Sequence, residues 1–112
     1  MTANFSQTQP SAQSVLAAVA VLQAAAQQHR LGILVALRHG PAHPAELCAT
    51  LGITRSSLAH HMRLLRMAEL ITQRRTGQTI QYLLADASVA TLVDAALSVS
   101  RGREHLSHVV RL

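Results

Sequence analysis

Apolar side chains recur every three or four residues through the first third of the chain, a pattern that predicts two consecutive helices. The first covers residues 13–27 and the second covers residues 29–38. The second helix is expected to stop at Gly40 and Pro41, because neither residue favours continuation of a helix. Residues 1–12 are polar and show no periodicity, so they predict a flexible N-terminal arm.

Two short helices joined by a tight turn are predicted after this break. Pro44 suits the first turn of a helix and Glu46 can reach back to His43, which favours a capping role for His43 over a metal-binding one. The helix ends at Gly52, and Thr54 caps the next one. That next helix should bury the apolar side chains of Leu58, Met62, Leu64 and Leu65. Two short helices around a glycine-containing turn are the signature of a helix-turn-helix.

A hairpin and a last helix complete the predicted order. The runs "ELITQRR" and "QTIQYLL" are compatible with strands and are separated by Thr76 and Gly77. Asp86 is placed to cap a helix that extends to about Ser100. The sequence therefore predicts a mainly α fold with a small β-hairpin wing, in the order α-α-α-α-β-β-α. We assign residues 13–101 to this domain and residues 102–112 to a C-terminal tail.

The first and last helices both carry alanine-rich apolar stripes, over residues 15–26 and 89–100. A single small domain is too small to cover both stripes, so the pattern predicts a homodimer paired through these helices.

Composition narrows the class of partner. The chain has 112 residues, of which 49% are hydrophobic and only 2% aromatic, as suits one domain of packed helices. All ten basic residues are arginines, and the net charge of +5 favours polyanionic partners.

A single cysteine, Cys48, makes no intrachain disulfide, so a cytoplasmic protein is expected. The apolar run at residues 15–26 is too short to span a membrane, and no membrane anchor is expected.

The helix that begins at Arg55 carries the candidate binding surface. Its outward and flanking positions are Arg55, Ser56, Ser57, Ala59, His60, Arg63 and Arg66. Small hydroxyl side chains permit close approach to a DNA major groove, and arginine can donate two hydrogen bonds to guanine. Arg74 and Arg75 follow in the hairpin, where they can contact phosphates. The alternative is a solvated helix face with no partner.

The adjacent histidines, His60 and His61, do not predict a metal site or catalysis. Neighbouring residues on a helix point in different directions, so the two rings cannot easily bind one ion. No carboxylate lies nearby in sequence to orient either ring for acid–base chemistry. We therefore do not expect an enzyme.

From about residue 29 to residue 97, the sequence resembles the ArsR/SmtB family of bacterial winged-helix repressors, most specifically in "SSLAHHMRLL" and in residues 77–82. The resemblance implies a homodimeric repressor that is released by an effector, often a metal ion. Two recognition helices in such a dimer predict an inverted-repeat operator in double-stranded DNA. It also implies a recognition helix and a wing that contact DNA. The residues assigned to this contact are Arg55, Ser56, Ser57, His60, His61, Arg63, Arg74, Arg75 and Gln78. The alternative is a winged-helix module that docks onto proteins without binding an operator.

The chain departs from the family at its usual metal positions. Asp86 is kept, but the other three positions of the inter-subunit site hold Ser88, Val99 and Gly102. A second family site uses two cysteines, whereas this chain has Cys48 followed by Thr50.

No cofactor is therefore predicted, and the effector stays unidentified. Cys48 is interpreted as a small buried hydrophobic residue, with a sensing thiol as the alternative. His105 and His108 are spaced as on one helix face and are weak candidate metal ligands.

Overall fold

The computed structural model describes residues 9–110 and has the predicted order of elements. In chain order these are α1 (Ala12–Ala25), α2 (Gln28–Arg38), α3 (Pro44–Leu51), α4 (Arg55–Met67), β1 (Ile71–Thr76), β2 (Thr79–Leu84), α5 (Ala87–Ser100) and a 3₁₀ helix (Glu104–Val109). The mainly helical fold with a hairpin wing is confirmed. The 3₁₀ helix lies in the tail, where no element was predicted.

Helix α1 begins at Ala12, because the side chain of Ser11 accepts a hydrogen bond from the Ser14 N–H and caps its first turn. Residues 1–8 of the predicted arm lie outside the described residues. Every residue from 12 to 20 is exposed, and α1 packs on its own protomer only near its C-terminal end, through Val21, Ala24 and Ala25. A free helix of this length is marginally stable in water, so the exposed part of α1 calls for a packing partner.

The core forms where α2 packs against the other elements. Its fully buried side chains are aliphatic: Ile33 and Leu34 on α2, Leu47 on α3, Leu65 on α4 and Val93 on α5. A Cβ atom at Gly32 would lie 2.8 Å from a methyl carbon of Leu51, so a larger residue at this position would require the Leu51 side chain to shift. None of the helices within residues 9–110 is long and apolar enough to cross a membrane.

Helix α5 divides its apolar stripe between two environments. Val89 and Val93 belong to the protomer core, whereas Leu97 and Val99 are exposed. The first half of the α5 stripe is therefore covered within the protomer, where it packs against α2 and β2, and only the second half remains for a second protomer to cover. A substitution at Val93 would disturb folding, so a test of dimer formation must use exposed positions.

Strands β1 and β2 form an antiparallel hairpin in which Ile71 pairs with Leu84 and Thr76 pairs with Thr79. The turn is Gly77–Gln78, one residue later than predicted, and Gly77 has a left-handed φ of 66° that favours glycine. Ile71 is buried at the base of the hairpin, and the remainder of β1 is exposed. The hairpin therefore projects from the domain as a wing.

Candidate nucleic-acid interface

The turn between α3 and α4 is fixed by local hydrogen bonds. Gly52 adopts a left-handed conformation with φ of 67°, and its N–H donates to the carbonyl oxygen of Cys48 at 2.8 Å. Thr54 caps α4, since its hydroxyl oxygen accepts a hydrogen bond from the Ser57 N–H at 3.1 Å. Three residues thus connect two helices whose relative orientation is held by the core, which is the geometry of a helix-turn-helix.

His43 is the N-cap residue of α3, in agreement with the capping role predicted for it. Its N–H donates to the Glu46 carboxylate at 2.7 Å. Nδ1 of its ring lies 3.1 Å from the carbonyl oxygen of Ile80. Because Ile80 lies on β2, this contact ties the start of α3 to the wing.

The outer face of α4 presents most of the side chains predicted to contact DNA. Leu58, Met62 and Leu65 are buried beneath them. Ser57 is half-buried, and the exposed residues of this face are Arg55, Ser56, Ala59, His60, Arg63 and Arg66. The structure therefore brings basic, hydroxyl and methyl groups together on one accessible face.

His61 lies on the other side of α4. It is only 8% exposed and faces the N-terminal turn of α2, where its ring lies 5.5 Å from the ring of His29 between centroids. Direct contact of His61 with DNA was predicted, and its burial makes that prediction wrong. Burial, followed by the nearby positive charge of Arg30, lowers the pKa of His61 below its ordinary value of 6.5.

The wing adds a second basic surface. Arg74 and Arg75 are adjacent on β1 and both exposed, so they point to opposite faces of the hairpin. Arg74 is held by a hydrogen bond from its Nε to the side-chain oxygen of Gln81 at 3.3 Å. Gln78 lies exposed at the tip.

The electrostatics of this surface favour a polyanion. Residues 55–78 contain five of the ten arginines and a single carboxylate, Glu69. Among the described residues, the one salt bridge joins Arg38 and Asp94, far in sequence from this segment. The guanidinium groups of α4 and the wing thus have no carboxylate partner within residues 9–110, and they are available to phosphates and base edges.

The residues at the family's usual metal positions do not fit a metal ion. The Asp86 carboxylate caps α5, where it accepts hydrogen bonds from the N–H groups of Ser88 and Val89 at 3.0 and 3.2 Å. Ser88, Val99 and Gly102 supply no imidazole or carboxylate. Within the part of the chain that the structure describes, no three His, Cys, Asp or Glu side chains are grouped so that they could hold a metal ion.

The weaker metal candidates, Cys48, His105 and His108, do not form a group of three ligands. Cys48 is half-buried and packs against the core from α3. His105 and His108 are exposed on the 3₁₀ helix. Side chains three residues apart on a 3₁₀ helix align, so these two histidines can meet, but two ligands are fewer than zinc ordinarily requires.

The helix-turn-helix, the basic face of its second helix and the adjoining arginine-bearing hairpin together define a winged helix-turn-helix DNA-binding domain. Residues 27–73 match the family described as bacterial regulatory protein, arsR family. The chain is 38% identical over 94 residues to the HTH-type transcriptional regulator NmtR of Mycobacterium tuberculosis, a match that covers 84% of this chain and 76% of NmtR. The chain belongs to the ArsR family.

Solved structures agree with this assignment. HlyU from Vibrio cholerae superposes with a TM-score of 0.75 at 28% identity, over 80% of this chain and 97% of HlyU. A homodimeric winged helix-turn-helix DNA-binding domain from Mycobacterium bovis, a possible ArsR-family regulator, superposes with a TM-score of 0.70 at 27% identity. That match covers 90% of this chain and 94% of the M. bovis domain.

Proposed function

We propose that this chain is a transcriptional repressor that binds double-stranded operator DNA as a homodimer. The observation that carries the proposal is the exposed face of α4, where Arg55, Ser56 and His60 are accessible on a helix whose opposite face is buried in the core. A helix with this face fits the major groove, in which arginine and small polar side chains distinguish base pairs.

The two basic surfaces take different roles in this proposal. Arg55, Ser56 and Ser57 lie in the first turn of α4, the part of a recognition helix that contacts base edges. Arg63 lies two turns further along, and it joins the wing residues Arg74, Arg75 and Gln78 in contacting the sugar-phosphate backbone. Base contacts give sequence preference, whereas phosphate contacts give affinity that falls with salt.

Dimer formation is supported by the exposure of α1. Val15, Leu16, Val19 and Leu22 are between 41% and 67% exposed on a helix that makes few contacts with its own protomer. A large exposed apolar surface marks an interaction site, and a second copy of the chain supplies a surface of the same kind. The homodimeric M. bovis structure has the same fold. A twofold dimer would present two recognition helices to an inverted repeat.

The proposed activity is DNA binding in the cytoplasm rather than catalysis. An effector releases the protein from DNA, and the site of that effector is not the usual metal position of α5. A protein-docking module is the less favoured alternative, because docking onto a protein does not require a face of unpaired arginines beside a basic wing.

The test is a gel-shift titration with DNA from upstream of the protein's own gene, repeated over a salt series. The proposal predicts a complex that survives an excess of unrelated DNA, and an affinity that falls linearly with salt on logarithmic axes. Arg63→Ala should weaken binding, whereas Arg101→Ala, which removes the same charge from an exposed position outside the surface, should not. Equal competition by unrelated DNA would contradict operator recognition.

A further inference from the structure

Arg30 contacts two other helices from its position in the first turn of α2. Its Nε donates to the carbonyl oxygen of Ala24, in the last turn of α1, at 2.6 Å. Its Nη1 lies 3.4 Å from Nδ1 of His61 on α4. Its own backbone N–H donates at 3.0 Å to the side-chain oxygen of Gln27, the residue that caps the N-terminus of α2. One half-buried side chain thus links the C-terminal turn of α1 to the buried side of α4.

The contact with His61 depends on the protonation state of the imidazole. A guanidinium group has donors but no acceptor, so Nδ1 of His61 can receive its hydrogen bond only when that nitrogen carries no proton. The charged and titratable groups that face His61 are Arg30 and His29 from α2 and His60 from α4 itself, and all of them are basic. Helix α1 contributes the Ala24 carbonyl, which Arg30 already occupies. Protonation of His61 would remove the acceptor and place a second cation beside Arg30.

We propose that Arg30 and His61 position the recognition helix α4 relative to α1, and that protonation of His61 releases this link. The inference rests on the proposed function, in which α1 pairs the two protomers and α4 contacts the operator. In a twofold dimer, the angle between α1 and α4 helps to set the distance between the two recognition helices, which must match one turn of DNA. Both residues act through α4 and are positioning residues.

The sign of the pH effect follows from the neighbours of His61. Burial and basic neighbours favour its neutral form, so the pKa in the folded protein lies below the ordinary value of 6.5. His61 in an unfolded chain therefore binds a proton more readily than His61 in the folded chain as the pH falls below about 6.5. The Arg30–His61 link is intact at neutral pH and is lost in acid. Specific affinity should fall with it, whereas phosphate contacts on the outer face of α4 and on the wing should persist.

The experiment compares the native protein with His61→Gln, whose amide oxygen can accept a hydrogen bond from Arg30 but does not titrate. The matched control is His39→Gln, the same change at an exposed histidine that follows α2 and lies outside the cluster. The probes are a duplex selected from a random library by the native protein at about pH 8 and a scrambled duplex of equal length and composition. Dissociation constants are measured at constant ionic strength from about pH 8 down to about pH 5.5, a range in which histidine titrates.

The native protein and His39→Gln should lose about tenfold in affinity for the selected duplex relative to the scrambled one as the pH falls, a change of about 1.4 kcal/mol. His61→Gln should lose clearly less of this ratio than either of them, because the change that remains in the variant comes from groups other than His61. If the native protein selects no sequence, the proposed function fails and the positioning role fails with it. If a sequence is selected but His61→Gln loses the same affinity in acid, only the positioning role is overturned.

A measurement on the native protein keeps the proposal testable should His61→Gln fold poorly. Nitrogen-detected NMR of the histidine rings reports which ring nitrogen of His61 carries a proton. The expected result is an unprotonated Nδ1 at neutral pH, with a titration midpoint that coincides with the loss of specific affinity. A protonated Nδ1 at neutral pH, or a midpoint that does not coincide with that loss, would overturn the proposal.

Discussion

Replacement of Leu22 by glutamate tests whether α1 pairs two protomers, because Leu22 lies on the exposed apolar stripe of that helix. Leu22 is 52% exposed in the protomer. Complete burial of a leucine side chain contributes about 1.5–3 kcal/mol, so covering the exposed half contributes about 0.8–1.5 kcal/mol. A twofold dimer contains the position twice. Loss of both contributions amounts to about 1.5–3 kcal/mol, which is roughly a 13- to 160-fold rise in the dimer dissociation constant.

Two further effects make this magnitude a lower bound. Glutamate also brings a charge into an apolar interface, and the two copies of that charge would repel each other if they lay close together. Gln13→Glu is the matched control, since it adds the same charge on the opposite side of α1 at an exposed position.

The assay is sedimentation equilibrium over a concentration series, with circular dichroism as a check that each variant keeps its helices. We expect the native protein and Gln13→Glu to have a mass near twice 12.0 kDa, and Leu22→Glu to dissociate at concentrations at which the native protein does not. A native mass of one chain over the whole series would refute the argument, and so would equal dissociation of the two variants.

Three other changes test separate parts of the structure. Arg74→Ala or Arg75→Ala should weaken binding to operator and unrelated DNA alike and should reduce the slope of log K against log salt by about 1. A changed base preference would show instead that the wing contacts bases. Asp86→Ala should lower the thermal midpoint at neutral pH, because hydrogen bonds from the Ser88 side chain and from the first backbone N–H groups of α5 hold the pKa of Asp86 below 3.8. The difference from native should shrink in acid as the pH falls through that lowered value. A zinc-dependent release of DNA that this variant abolishes would contradict our conclusion that Asp86 caps α5 and does not bind a metal ion. Thr54→Ala should destabilise the protein by about 1 kcal/mol in urea unfolding through loss of the α4 cap, whereas Thr54→Ser should restore most of it.

Local signals in the sequence were sufficient to predict most elements of the fold. Gly52 and Thr54 mark the turn of the helix-turn-helix, and Asp86 marks the start of α5, because each of these residues acts on backbone within three positions of itself. The outward face of α4 followed from helical periodicity. The hairpin was also predicted, although its turn is shifted by one residue to Gly77 and Gln78.

The burial of His61 was missed although the sequence carried a signal for it. Leu58, His61 and Leu65 are spaced three and four residues apart, the same spacing as the buried face of α4. Helical periodicity did not count His61 among the outward positions, and only the resemblance to the family placed it among the residues that contact DNA. Its contact with Arg30 could not be predicted, since it joins residues 31 positions apart through the packing of two helices.

The part of each apolar stripe that is buried within the protomer likewise could not be predicted without the tertiary structure. Sequence periodicity shows that α1 and α5 each have an apolar face, but it does not show which part of each face the protomer itself covers. The structure buries Val89 and Val93 and leaves Leu97 exposed.

Selection of binding sites from a random duplex library by the native protein tests the central claim most directly. A homodimer that reads DNA through α4 should enrich an imperfect inverted repeat whose half-site centres lie about one DNA turn, roughly 34 Å, apart. The enriched sequence should change when Arg55 or Ser56 is replaced, because those side chains are assigned to base edges. Enrichment of no sequence, or of a single half-site without symmetry, would contradict the account.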